Sequence, residues 1–196
     1  MSLTVEAVTG EALKDVLGDL ARLRIAVFRD WPYLYDGSED YEREYLAKFI
    51  AAKGAVCVIA RDGETVVGAS TASPMAETDE EFILPFRKAG YDIDTVFYCG
   101  ESVLVGDYRG QGVGNRFFDE REAHARRLGG FDTSTFCRVV RPDDHPLKPA
   151  GYRPLDGFWR KRGYGPVEGL VAYYSWKDIG EDAETEKPLQ FWTRKL

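Results

Sequence analysis

Histidine, cysteine and methionine are scarce in this chain: of 196 residues, two are His, three Cys and two Met. His124 and His145 stand in unlike contexts, and Cys57, Cys99 and Cys137 form no CxxC pair, so no metal is expected. Each cysteine falls in an apolar run that reads as a strand, where a reduced thiol packs as a small hydrophobe; this suits a reducing cytoplasm. Positive charge is outnumbered, 26 Lys and Arg against 33 Asp and Glu, giving a net charge of -7. An acidic chain has no general field for a polyanion, so nucleic acid is not an expected partner. No apolar run reaches the roughly 18 residues that a bilayer span requires, and the first ten residues carry no basic segment followed by an apolar core. A soluble, unexported, cytoplasmic protein without a membrane partner is expected. Internal repeats are absent too.

What is present is an ordinary supply of core: 44% of residues are apolar, enough for a single domain over 1–196. Residues 2–8 alternate as a short strand, and Thr9 offers a cap to a helix marked by Leu13, Val16, Leu17 and Leu20. Tyr41, Tyr45, Leu46, Phe49 and Ile50 share one face of a second helix ending near Gly54. Residues 55–60 and 65–72 flank Asp62-Gly63 as a hairpin. Residues 77–90 mix helix formers with Pro85 and read as a partly helical excursion. A strand over 95–105 leads through a glycine stretch into a helix ending at Gly129-Gly130, followed by a strand over 133–140. Four prolines exclude regular structure over 141–155, and a short helix over 156–162 stops at Gly163. Strands over 171–176 and 189–194 close the chain, separated by an acidic surface loop over 177–187.

The chemical signal lies between the strand ending at Val105 and the helix starting near Gly114. Arg109-Gly110-Gln111-Gly112-Val113-Gly114 alternates glycines with other residues, leaving backbone N–H groups free to converge on an anion. The helix N-terminus adds its dipole and unpaired donors, and Arg109 a formal charge, so a phosphate is the natural guest. A nucleotide-triphosphate loop is excluded because no Gly-Lys-Ser/Thr follows. The dinucleotide fingerprint fails because Asn115 stands where its third glycine belongs.

The pattern that fits is Arg/Gln-x-x-Gly-x-Gly/Ala. On the stretch from Val105 to Gly114 the chain resembles the GNAT (GCN5-related) family of acetyl-CoA-dependent N-acetyltransferases. The order of elements agrees, and residues 158–164, Phe-Trp-Arg-Lys-Arg-Gly-Tyr, resemble a later aromatic-x-x-x-Gly-aromatic motif of that family. The resemblance implies an α/β (α+β) single domain with a mixed, mostly antiparallel sheet of about six to seven strands flanked by helices. It also implies acetyl-CoA as co-substrate and direct transfer of acetyl to a primary amine. Val103, Leu104 and Val105 would pair their backbone with the pantetheine arm, and Arg109, Gly110, Gln111, Gly112, Val113, Gly114 and, more weakly, Asn115 would hold the pyrophosphate. Glu101, just before the loop, matches the place of a general base in some members; read by itself it is equally an exposed strand residue or a salt-bridge partner. The tyrosine that often protonates the departing thiolate is replaced by Trp159, which instead packs against the cofactor arm. Tyr152, Tyr164, a water or direct thiolate release would take over.

Trp31-Pro32-Tyr33-Leu34-Tyr35-Asp36 joins the first two helices, where related folds build the acceptor pocket. Trp31, Tyr33, Tyr35 and Asp36 could recognise a cation by ring faces and a carboxylate, or simply pack an inter-helix turn. His145 borders the same end of the sheet, as a substrate contact or an exposed loop residue. Cys99 shares strand parity with Glu101 but has no histidine to activate it, and reads as a core thiol. His124 reads as helix packing. The expected partner is a small-molecule or protein amine acceptor, and a homodimer is compatible with the chain. The rival readings are a non-catalytic acyl-CoA sensor and a protein-interaction module.

Overall fold

The computed structural model describes residues 3–196. Its elements are β1 (Leu3–Thr9), α1 (Leu13–Phe28), α2 (Glu39–Ala51), β2 (Val56–Asp62), β3 (Thr65–Pro74), α3 (Glu80–Lys88), β4 (Val96–Leu104), α4 (Val113–Leu128), β5 (Thr133–Val139), α5 (Asp156–Lys161), β6 (Gly165–Lys177) and β7 (Glu184–Lys195). The strands form one seven-stranded sheet in the order β1-β2-β3-β4-β5-β7-β6. All neighbours run antiparallel except β4 and β5, which run parallel with α4 as their crossover.

Strand alternation divides the core between the two faces of the sheet. On β2, Cys57 and Ile59 point to the side covered by α1, α2 and α3, while Val56, Val58 and Ala60 point to the side covered by α4 and α5. Leu13, Val16, Leu20 and Leu23 recur at helical spacing and seal α1 onto the first face. Phe117, Phe118 and Ala125 do the same for α4 on the second. α3 is a regular helix in spite of Pro85, because Phe82, Ile83 and Phe86 bury one face against the sheet. His124 packs inward and its Nε2 lies 3.0 Å from the carbonyl of Gly54.

Three expectations need correction. Thr9 makes no side-chain cap; a 3-10 turn over Gly10–Ala12 starts the helix instead. β6 and β7 extend well beyond the apolar segments that marked them, so the predicted surface loop over 177–187 shrinks to a turn. Its Lys187 is 4% exposed, bonded to the carbonyls of Trp176 and Thr185 and 3.2 Å from Asp178. A buried, compensated lysine on an edge hairpin looks like any solvated charge in the sequence. Finally, Cys99 and Glu101 do not share a face. Ser70 pairs with Ser102 and Ala72 with Cys99, so Thr71 alone opposes both Gly100 and Glu101. This bulge switches parity: Cys99 is buried toward α4, and Glu101 turns toward α1 and α2.

Candidate active site

β4 and β5 pair only over Val96–Tyr98 and Thr133–Thr135. Beyond these residues the bulge re-aims β4, and the two strands diverge around a cavity of ≈ 600 Å³. Gly100 permits the bulge, since a Cβ there would meet Thr71 Oγ1 at 2.9 Å. The polar backbone exposed by the bulge is paid for by a buried arginine: Arg121 of α4 reaches the carbonyls of Thr71 (3.4 Å) and Glu101 (3.3 Å). Ser70 Oγ donates to the same Glu101 carbonyl at 2.9 Å.

One wall of the cavity is the glycine loop, contributed by Arg109, Gly110, Gly112, Gly114 and Asn115. Gly110 and Gly112 have φ of +78° and +84°, a conformation that side chains oppose and that turns successive N–H groups to one side. Among the described residues no acceptor meets the backbone N–H groups of residues 110–114. The loop is held from behind: Gln111 Nε2 donates to the carbonyl of Asp107 at 3.1 Å, and the Gly112 carbonyl accepts from Asn115 and Arg116. Gln111 and Val113 therefore do not line the cavity; the Val113 side chain is core. On β4, Val105 N–H donates to Val67. By antiparallel alternation Val103 then also faces β3, while Ser102 and Leu104 turn their backbone to the splay. Of Val103, Leu104 and Val105 only Leu104 lines the cavity, joined by Ser102, which the motif alone did not mark.

Glu101 stands where the large cavity meets a smaller chamber of ≈ 80 Å³ under α1 and α2. The residue is 7% exposed. Its Oε2 lies 3.0 Å from Arg24 and accepts from Tyr45 Oη at 3.2 Å, whereas Oε1 takes no hydrogen bond from the described residues. It is thus a salt-bridge partner but not an exposed one. Arg24 also donates from Nε to Glu42 at 2.5 Å, and Glu42, fully buried, accepts from Tyr35 Oη at 3.0 Å. Burial opposes the charge on Arg24, and Glu101 and Glu42 more than restore it, holding its pKa well above the usual value. Tyr33, Tyr35, Tyr41, Tyr45, Tyr98 and Tyr174 line the chamber with Phe28, Phe82 and Trp176. Arg24 and Glu42 belong to no motif, yet the sequence carries a signal for them. Each sits four residues from an apolar anchor, Leu20 and Leu46, as a charge on a stripe that should be apolar.

The segment between α1 and α2 is divided in its placement. Tyr33 lines both cavities and Tyr35 the chamber. Asp36 lines neither and pairs with Lys177 at 3.0 Å. Trp31 packs against His145 (5.0 Å between centroids) and Tyr152 (6.0 Å), so both Trp31 and His145 brace the proline-rich loop outside the cavity lining. Arg141 clamps the segment, donating to the carbonyls of Pro32 (2.9 Å) and Tyr33 (2.6 Å) while forking onto Asp178 at 2.6 and 2.9 Å. Trp159 lines the cavity, 4.9 Å from Phe136. Tyr164 is buried on Ser134 and Glu122 and does not reach the cavity, while Tyr152 does. Burial raises the pKa of Tyr152 and keeps its hydroxyl protonated. Cys137 lies on the wall between the two cavities, its thiol pushed up by burial to about 12. No group of three His, Cys, Asp or Glu side chains is placed to hold a metal among the described residues. No helix there is long and apolar enough to cross a membrane.

A seven-stranded sheet splayed after one parallel pair, with a glycine loop at the head of the crossover helix, is the fold of GCN5-related N-acetyltransferases. The chain is similar in structure to a ribosomal-protein-alanine N-acetyltransferase of Brucella melitensis, with a TM-score of 0.63 at 13% identity over 98% of this chain and 99% of that one. It is similar to Arabidopsis thaliana NAA60, solved with a bisubstrate analogue (TM-score 0.61, 11% identity, 98% of each chain). It is also similar to YncA of Salmonella typhimurium, solved with its cofactor acetyl-CoA (TM-score 0.58, 12% identity, 100% of this chain and 95% of that one). No family model and no curated protein matches the sequence.

Proposed function

We propose that this protein is an acetyl-CoA-dependent N-acetyltransferase that passes acetyl directly to a primary amine. What carries the reading is that Gly110, Gly112 and Gly114, whose N–H groups meet no acceptor among the described residues, and Glu101, with one oxygen unshared, line one cleft. The backbone N–H groups of Gly110, Gly112 and Gly114 would hold the pyrophosphate, with Arg109 adding charge. Ser102 and Leu104 would offer the arm an added-strand partner where β5 has moved away. Acetyl-CoA supplies an activated acyl group on a thiol leaving group.

The chain's own part is positioning and proton movement. An alkylamine is mostly protonated near neutral pH and must lose a proton to become a nucleophile; Glu101 Oε1 would accept it, directly or through a water. Tyr152 is the tyrosine hydroxyl on the large cavity's proline-loop wall and would return a proton to the thiolate, in place of the position occupied by Trp159. The amine would enter from the aromatic chamber, on the Glu101 side of the cleft.

The test has two arms. Saturating acetyl-CoA, at a hundred times its dissociation constant, should stabilise the fold by about 2.7 kcal/mol. Thiol release over a panel of amines should then be acceptor-dependent, and Glu101→Gln should lower turnover with acetyl-CoA binding nearly intact. Stabilisation without release on any amine would favour a non-catalytic acyl-CoA sensor, and no stabilisation would sink the cofactor reading altogether.

A further inference from the structure

The chamber under α1 and α2 holds an uneven set of charges. Its lining carries Arg24 and Glu101, and Arg24 is bonded from behind by Glu42, so two carboxylates share one guanidinium. Glu42 is 0% exposed and Arg24 7%, so water contributes little to solvating the Glu42 charge. Among the described residues Glu101 Oε1 takes no hydrogen bond, and it is the open atom of the chamber that carries negative charge. Around it stand aromatic rings whose faces attract cations, and Arg24 already stacks over Tyr45 at 4.1 Å. The opposite excess, Arg141 and Lys187 about Asp178, lies behind Trp176, and none of these three residues lines the chamber.

We infer that the chamber is a subsite for the head of a small organic monocation, an alkylammonium that carries no carboxylate, and that buried Glu42 supplies the charge that holds it. The inference rests on reading the chamber as the acceptor side of the cleft. A neutral amine would leave the excess charge unanswered, and an amino acid would bring a second carboxylate into a space whose one lining cation is already shared. A volume of ≈ 80 Å³ admits roughly five water-sized groups, enough for an ammonium and a short alkyl stem.

The experiment is ligand-observed NMR titration of the full chain, without acetyl-CoA, using n-propylammonium, n-propanol, propionate and β-alanine. Propylammonium should bind at least about tenfold more tightly than propionate or β-alanine, a difference of about 1.4 kcal/mol. Glu42→Gln should weaken propylammonium by about tenfold or more and leave propanol within about twofold, which reports an intact chamber. If Glu42→Gln loses propanol as well, Glu101→Gln carries the same test, because it removes the same unit of charge without touching the Arg24–Glu42 bond. Equal binding of propionate, or propylammonium binding unchanged in the variant that retains propanol, overturns the inference. Failure of acetyl-CoA to bind would sink the proposed activity and leave this result standing; a chamber indifferent to charge in a protein that binds acetyl-CoA would sink this inference alone.

Discussion

Gly112 is the residue whose replacement best separates the loop's shape from its surroundings. It caps α4 at φ +84° and ψ -4°, and a Cβ built there meets nothing within 4 Å, so Gly112→Ala introduces no clash. The whole effect is therefore backbone. A non-glycine residue in the left-handed region costs roughly 1–2 kcal/mol, and the smaller freedom of alanine in the unfolded chain offsets part of it, leaving about 1 kcal/mol. In a chain of this length that lowers Tm by about 2–4 °C. The alternative open to the variant is to let the loop relax, which turns donors away from the cavity. Losing one hydrogen bond to a charged phosphate costs about 1.5–3 kcal/mol, roughly a 10- to 150-fold loss of acetyl-CoA affinity. Gly106→Ala is the matched control, because Gly106 has an ordinary φ and a Cβ there also meets nothing within 4 Å. Calorimetric titration with acetyl-CoA and thermal melts of both variants decide the matter. If Gly112→Ala binds and melts like the wild type, or Gly106→Ala is damaged equally, the loop is not the left-handed donor array described above.

The Arg141 clamp ties the segment after α1 to Asp178, and its side chain is only 8% exposed. Arg141→Ala should destabilise by about 3 kcal/mol, read in urea melts, because it leaves Asp178 with Lys187 alone and frees the carbonyls of Pro32 and Tyr33; a loss below about 1 kcal/mol would refute the clamp. Cys137 lines both cavities with a thiol pushed up to about 12, so its alkylation by iodoacetamide at pH 8 should be far slower in the native protein than in urea. Mass-mapped labelling at equal rates would contradict it. Burial lowers the pKa of His124, the carbonyl of Gly54 opposing this only in part. The folded state then holds fewer protons than the unfolded one as pH falls below about 6.5, so His124 costs stability on the acid side and none above it. Comparing the melting temperatures of wild type and His124→Gln at pH 7.5 and pH 5.5 should show the smaller drop in the variant.

The sequence by itself determined most of the elements and the glycine loop, because both rest on local physics. The spacing of Leu13, Val16 and Leu20 makes a helix wherever that helix packs, and alternating glycines before a helix start expose donors whatever lies opposite. The Asp62-Gly63 hairpin is equally local. Where tertiary contacts overrode local pattern, the sequence was silent or misleading. Lys187 reads as solvent-facing until Asp178 and the Trp176 carbonyl surround it. Strand parity joins Cys99 to Glu101 until the Gly100 bulge, visible only against β3, sends them to opposite faces. Glu101 could be marked as a candidate, but its pairing with Arg24, and through Arg24 with Glu42, joins β4 to two helices far earlier in the chain. The large cavity opens where β5 leaves β4 after Tyr98. Where two strands part is settled by the packing of everything around them, so the cleft is a property of the tertiary structure, while the loop that opens onto it was already written in six residues.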